Sequence, residues 1–454
     1  MEQYAEFKAD KVWQINDIRD KMNEDSGNIA KSNQKKPEVV LAGTIHTMRH
    51  FGEFSFLILR TRQGLIQCYV EKNKFGSLFD ELIDNACVEL TGIIKAEERA
   101  PNNFELMVDR IVILSEPYAQ SPVSLSKWKL GVSLDKNLEL RPVTLRHLHQ
   151  RAIFKIQEGI VRGFRDFLFA EEFTEIRTPK IVSSGAEGGS NIFQLDYFGR
   201  KAYLTQSPQF YKQTMVGVYE RVFEVGPVFR AEKHNTARHL NEYISMDFEM
   251  GFIEDFSDIM NMEVGALKFI FNLLKNEYQN ELNMLKINLP QIDRIPTVRF
   301  DVAKEMVSKK YNRKIKDPYD LEPEEENLIG QLFMEEFQSE FVFVTHYPTK
   351  KRPFYAKDDP ENPKFTLSFD LLFRGMEITT GGQRIHRYEE QVEKMLSKGM
   401  DPDGFESYLM IHKYGMPPHG GLGIGLERLA MKLLGETNIR TTALFPRDMT
   451  RLDP

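Results

Sequence analysis

Glycine takes every second position of Gly421-Leu422-Gly423-Ile424-Gly425, and Leu426-Glu427-Arg428 follow at once. Successive strand side chains point to opposite faces, so this spacing strips one face bare. A bare face lets a flat ligand approach the backbone, although tight packing of neighbouring strands would ask for the same glycines. Arg428 then opens a helix. The run is not a dinucleotide fingerprint: counted from Gly421 the last glycine of that pattern falls on Leu426, and counted from Gly423 on Arg428. A Walker-type phosphate loop is absent from the chain.

With 454 residues the chain is long enough for more than one buried core. Residues 39–46, 54–61, 64–70, 87–94 and 104–114 read as five strands, with Phe54, Phe56 and Ile58 alternating and a helical stretch at 75–83 after the third. That order predicts an OB-type barrel, whose open face often takes oligonucleotides; another small β-barrel fits the pattern equally. Residues 1–36 read as a helical extension and linker, with Val12, Trp13, Ile18 and Met22 on a weak amphipathic face. The barrel domain is expected over 37–116, and a Pro-containing hinge over 117–146. Within 147–454, Ile153, Ile156, Ile160, Phe164 and Phe167 recur at helical spacing before Thr178-Pro179. The strands and helices beyond lack a βαβ rhythm. The fold class is therefore α+β: a five-stranded OB-type barrel, then a larger domain on an antiparallel sheet flanked by helices.

A net charge of −7 excludes a histone-like wrapper and requires any nucleic-acid contact to be focused. Two cysteines, Cys68 and Cys87, exclude a disulfide framework and a Cys-rich zinc site, and suit a reducing cytosol. With no long apolar run and no signal-like start, the protein is expected to be soluble and cytoplasmic. The acidic residues 322–326 and the basic Lys350-Lys351-Arg352 read as solvated surface.

Two further constellations carry chemistry. Phe229-Arg230-Ala231-Glu232, Arg238-His239-Leu240-Asn241-Glu242 and Asp247-Phe248-Glu249-Met250 read as strand, loop and strand, with Arg230, Arg238 and His239 able to converge on phosphates. The planar fork of arginine suits phosphate oxygens bidentately. Asp370 and Glu377 flank a turn at Arg374-Gly375; with the Thr380 hydroxyl they form an oxygen-rich set suited to Mg²⁺ already carrying ATP phosphates.

Taken jointly and in order, Thr178-Pro179, residues 229–249 and residues 423–428 resemble motifs 1, 2 and 3 of the class II aminoacyl-tRNA synthetases. With a barrel in front, they resemble the subgroup for Asp, Asn and Lys. Glu187-Gly188-Gly189, residues 206–212, Gly381-Gly382-Gln383-Arg384 and residues 414–421 look like those of archaeal-type aspartyl members.

The resemblance implies ATP-dependent activation of L-aspartate and its transfer to tRNA(Asp), with Mg²⁺ as cofactor. It places Glu187 on the α-amino group and Gln209 beside the substrate, with Thr380 bordering the same pocket. Lys212 and Arg384 would face the side-chain carboxylate, where a neutral amide would leave both cations uncompensated. Arg230 would bridge the α-carboxylate and α-phosphate. Arg238, His239 and Arg428 would hold the outer phosphates, with Glu232, Leu240, Glu377 and Gly425 completing the ATP site and Tyr243 near the adenine. Asp370, Glu377 and Thr380 would serve the metal. Ala186 stands where relatives carry a hydroxyl.

In the barrel, Phe56, Arg60 and Gln67 match anticodon-reading positions, with Phe56 stacking on a base. His46 and Pro101 stand where tRNA(Asp)-specific relatives tend to carry Trp and Lys, so tRNA(Asn) is an expected second substrate. The helix of 153–169 and the strand near Pro179 imply a homodimer. Two rival readings are an asparaginyl enzyme and a paralogue that binds nucleic acid without aminoacylating.

Overall fold

The computed structural model describes residues 12–26, 38–183, 191–233 and 235–453. They form two compact units that divide between Val132 and Ser133.

In the first unit β1 (Glu38–Phe51), β2 (Phe54–Arg60), β3 (Leu65–Glu71), β4 (Cys87–Ala96) and β5 (Phe104–Ser115) close in the order β1-β2-β3-β5-β4. Among these strands the pairing is antiparallel except between β3 and β5, which run parallel. The helical stretch between β3 and β4 is two short helices, Lys72–Phe75 and Ser77–Asp80, broken where Gly76 takes a φ of 55°. Alternation sorts the strands: Leu57, Leu59, Ile66, Cys68 and Val70 fill the barrel, leaving Phe54 and Phe56 half-buried outside. β1 outruns its expected end because a bulge at Ile45/Thr47 bends it around the barrel. The helix Ile15–Ser26 adds Ile15 and Ile18 to the same core.

The remaining strands are β6 (Thr174–Glu175), β7 (Ile181–Val182), β8 (Gln194–Tyr197), β9 (Arg200–Leu204), β10 (Arg221–Phe229), β11 (Glu242–Gly251), β12 (Thr297–Arg299), β13 (Phe341–Thr345), β14 (Ser368–Phe373), β15 (Met376–Gln383) and β16 (His419–Gly425). Eight form a sheet in the order β12-β13-β14-β15-β16-β11-β10-β6; β7, β9 and β8 form a small separate one. The large sheet is antiparallel through its middle, as expected, but its edge pairs β12–β13 and β10–β6 are parallel, so it is mixed.

Helices Leu148–Ala170 and Ser257–Glu277 cover one face. They bury Ile156, Ile160, Phe164 and Ile270 against Phe248, Phe369, Leu371, Leu422 and Ile424. Gly163 permits the close approach, since a Cβ there would stand 3.0 Å from the Ile270 Cα. Residues 133–146, expected within the hinge, fold with this unit: buried Arg141 donates to the carbonyls of Ala443 and Leu444 at 2.6 and 2.8 Å. The opposite sheet face carries the polar residues.

Candidate active site

Register draws two rows across that face. Asp247 on β11 pairs with Gly423 on β16, Gly423 with Thr380 on β15, and Thr380 with Asp370 on β14; one step along, Glu249, Gly421, Gly382 and Ser368 repeat the pattern. The alternate glycines serve a purpose beyond baring the strand for a ligand. A Cβ on Gly421 would collide with Oε2 of Glu249, and one on Gly423 would stand 2.9 Å from Oδ1 of Asp247. Much of the stripped face of β16 is thus filled by the carboxylates of β11, while Gly423 and Gly425 still line an open cleft of about 1030 Å³.

At one end of the cleft Lys212, on the helix Gln209–Tyr219, places Nζ 3.0 Å from Asp247 Oδ1, 3.2 Å from Glu249 Oε2 and 2.9 Å from the Leu422 carbonyl. Arg384 Nε donates to Glu249 Oε1 at 2.8 Å and Nη2 to the Gly421 carbonyl at 2.9 Å. Burial alone would raise the Glu249 carboxyl, but Arg384 and Lys212 beside it hold it below its ordinary value. Two buried cations therefore meet two buried anions, and the expectation that both cations would be uncompensated without an acidic ligand is corrected: Asp247 and Glu249 already match them. No local pattern assigns these carboxylates a role. The available signal was Ser245, Asp247 and Glu249 alternating with Met246, Phe248 and Met250.

Among the described residues lining the cleft, Gln209 Nε2, Gln206 Oε1 and Asp247 Oδ2 are buried without a hydrogen-bond partner. One donor and two acceptors left over in a buried site suit a zwitterionic ligand. Glu187 and Ala186 lie outside the described residues.

At the other end, Arg428 in the first turn of Leu426–Leu434 donates from Nη1 to Oε1 and to the backbone oxygen of Glu377, at 3.3 and 3.2 Å. Thr380 Oγ1 donates to the same Oε1 at 3.3 Å. The Arg374-Gly375 turn has positive φ at both residues, as a tight hairpin requires. A bulge at Leu371/Leu372 offsets Glu377 from Asp370, so it is Thr380 that stands directly opposite Asp370. Burial, resisted by Arg352 and reinforced by Glu377, pushes Asp370 up to about 6. Repulsion between Asp370 and Glu377 and an all-oxygen donor set fit a Mg²⁺ that brings phosphate oxygens with it. Among the described residues no trio of His, Cys, Asp and Glu forms a metal cage.

Arg230, Glu232, Arg238, His239, Leu240 and Tyr243 all line the cleft, the side chains of Arg230 and His239 standing 3.8 and 3.7 Å from Glu232. Buried Arg440 braces their loop, donating to the Thr236 carbonyl at 3.0 Å and Asn235 Oδ1 at 2.6 Å while pairing with Asp448 at 2.6 Å. Two expectations of solvated charge hold only in part. In the acidic run, Glu325 is buried on Lys304 at 2.8 Å, and Glu326 pairs with Arg238 and accepts the Glu377 N–H at 3.1 Å. In the basic run, half-buried Arg352 donates to Asp370 at 2.7 Å. Each run turns in only the residues that meet a charge, Lys304, Arg238 or Asp370, and leaves Glu324, Lys350 and Lys351 exposed.

In the barrel unit, Phe56 is half-buried among Phe51, Phe54 and Tyr69. Gln67 donates to Glu105 at 3.0 Å, and Glu105 also accepts from Lys95 at 3.2 Å. Arg60 and His46 are buried, His46 lying in the bulge of β1, while Pro101 is exposed in the turn Pro101–Asn103. In the second unit Pro179 is exposed; beside it Thr178 and Lys180 converge on Glu224, at 2.7 and 2.9 Å.

Residues 133–449 match the family of tRNA synthetases class II (D, K and N), and residues 39–114 match the OB-fold nucleic acid binding domain. An aspartate-tRNA(Asp/Asn) ligase of Deinococcus radiodurans is 46% identical over 422 residues, 92% of this chain and 95% of the relative. Its counterpart from Thermus thermophilus is 46% identical over 418 residues, 92% and 97% of the two chains. Among solved structures, asparaginyl-tRNA synthetase from Pyrococcus horikoshii, complexed with asparaginyl-adenylate, superposes with a TM-score of 0.85 at 32% identity, covering 92% of this chain and 97% of that one.

Proposed function

Because the chain belongs to the class II tRNA synthetases of the D, K and N group, we propose that it activates L-aspartate with ATP and transfers it to tRNA(Asp) and tRNA(Asn). The observation that carries the amino-acid assignment is the cluster of Lys212 and Arg384 with Asp247 and Glu249 at the closed end of the cleft. Arg384 spends Nε and Nη2 on Glu249 and Gly421, which leaves Nη1 for a ligand carboxylate. A carboxylate arriving at two fixed guanidinium and ammonium groups gains charge-assisted bonds that an amide does not.

Gln206, Gln209 and Asp247 orient the zwitterion, with Glu187 on the α-amino group. The aspartate α-carboxylate attacks the α-phosphorus of ATP; the bond to the bridging oxygen breaks and pyrophosphate leaves. Arg230 neutralises charge at the reacting phosphate, and Arg238, His239 and Arg428 hold the outer phosphates, so the acceleration is positional and electrostatic. Mg²⁺ held by Asp370, Glu377 and Thr380 would supply further neutralisation of the phosphates. The terminal ribose hydroxyl of tRNA then attacks the mixed anhydride, releasing AMP. On the barrel, Phe56 stacks on an anticodon base, with Arg60 and Gln67 at its edges. The working form is a homodimer across the helix Leu148–Ala170 and the strand at Pro179, acting in the cytoplasm.

Aspartate-dependent exchange of pyrophosphate into ATP tests the reading directly. Exchange with asparagine instead would make this an asparaginyl enzyme; exchange with neither would make it a paralogue without aminoacylation. Charging of both tRNA transcripts is expected to differ by less than several-hundred-fold, about 3 kcal/mol. Sedimentation at micromolar concentration should return a dimer, and an active monomer would overturn that part.

A further inference from the structure

The segment ahead of the barrel lies outside both family matches, the earlier of which begins at residue 39, yet it is built into the first unit. Ile15 and Ile18 are 2% and 1% exposed within the barrel core. The Trp13 N–H donates to the Val40 carbonyl at 2.8 Å. These contacts anchor the helix Ile15–Ser26, and two polar contacts run from it to the loops of the barrel. The Asn16 N–H donates to Gln63 Oε1 at 3.0 Å, and Arg19 Nη2 donates to Asn102 Oδ1 at 2.7 Å.

Asn102 is the middle residue of the turn Pro101–Asn103, where it and Asn103 both adopt left-handed backbone, with φ of 67° and 64°. Asparagine tolerates that region better than most residues, but two in succession need fixed partners. The Asn102 side chain supplies them. Its oxygen accepts from Arg19, and its Nδ2 donates at 2.8 Å to the carbonyl of Leu65, the first residue of β3. The same strand carries Gln67, bonded to Glu105 on β5. The side chain is a crossbar from the N-terminal helix to the strand beside the RNA-reading residues, and Pro101 rides on it.

We propose that the N-terminal helix is a specificity element for tRNA: through Arg19 and Asn102 it fixes the path of the turn carrying Pro101, and so sets how readily the barrel accepts tRNA(Asn) beside tRNA(Asp). This rests on the reading that the barrel receives the anticodon loop. Arg19 is a positioning residue, exposed at the surface, and its loss leaves the helix anchored by Ile15 and Ile18.

The test uses the full chain with Arg19→Ala, Asn102→Ala and Arg19→Lys, charging tRNA(Asp) and tRNA(Asn) transcripts, with Phe56→Ala alongside. The two alanine variants should change the ratio of kcat/KM for the two tRNAs by at least about threefold, the size of one modest hydrogen bond. Aspartate-dependent pyrophosphate exchange should stay at the parent rate, and Arg19→Lys, which keeps a donor, should restore most of the ratio. An unchanged ratio in both alanine variants, with Phe56→Ala still weakening the charging of both tRNAs, overturns the proposal and leaves the barrel reading intact. If Phe56→Ala also changes nothing, the barrel reading fails with it. A matching fall in exchange would put the effect in the catalytic unit and also overturn the proposal.

Discussion

The catalytic sheet and the barrel present polar surfaces built on opposite terms. On the sheet, Lys212, Asp247, Glu249 and Arg384 are all buried, and each bonds at least one of the others. On the barrel, Phe56 and Gln67 are half-buried, and the Lys95 side chain paired with Glu105 is 53% exposed. A charge taken out of water must be matched, so the sheet's ion pairs are in place before any substrate arrives. A surface that stacks on unpaired bases keeps its rings accessible and tolerates adjustment. The sheet should fail abruptly when one partner is lost, and the barrel by degrees.

The largest effect is expected at Lys212. Lys212→Met takes from Asp247 its ion-pair partner and leaves Glu249 with Arg384, and breaking a buried pair costs about 3–5 kcal/mol. Aspartate-dependent exchange should fall by more than about a hundredfold, while ATP binding, followed by nucleotide titration, is largely retained. A rate within about threefold of the parent would remove the contrast with the barrel altogether.

Glu326 tests whether the abruptness extends to the end of the cleft proposed to hold the phosphates. It ties Arg238 to the backbone of Glu377, so Glu326→Gln weakens one charge-assisted bond, about 1.5–3 kcal/mol. The expected result is a KM for ATP raised by about tenfold or more with the KM for aspartate nearly unchanged. Equal rises in both would mean that Glu326 supports the whole sheet and not the phosphate subsite. On the barrel, Phe56→Ala removes one stacking surface, about 1–3 kcal/mol. KM for both tRNAs should rise while pyrophosphate exchange stays constant.

The two surfaces also differ in how legible they were. The five barrel strands and the helix Leu148–Ala170 follow from short-range periodicity, and the structure returns them with shifted ends. The glycines of β16 were equally plain, but what they make room for was not. Asp247 and Glu249 gain their meaning from strands far away in sequence, and no local pattern couples them to Lys212 or Arg384. Glu326 and Arg352 misled for the same reason: a charged run reads as solvent-facing until the fold supplies a buried partner. Local pattern finds elements, whereas buried counter-charge is a tertiary property.

The last effect, on stability and not on activity, separates the two faces of the sheet itself. Glu249 and Glu263 are both fully buried, yet they move in opposite directions. Glu249, beside Arg384 and Lys212, lies below its ordinary value. Burial pushes Glu263, on the helix Ser257–Glu277, up to about 8, with Thr379 the one offsetting group and Asp370 adding to the rise. Neither Glu263 oxygen has a hydrogen-bond partner of normal geometry. A carboxyl raised in the folded state stabilises the fold fully below its unfolded value, near pH 4.5, and that contribution is lost as pH rises through about 8. Glu263→Gln keeps the shape and removes the titration. Denaturant unfolding between pH 5.5 and 7.5 should therefore fall less steeply in the variant, by up to about 1.4 kcal/mol per pH unit. Parallel slopes would mean that Glu263 is ionised in the folded state, and that the helix-covered face tolerates an unpaired charge as the substrate face does not.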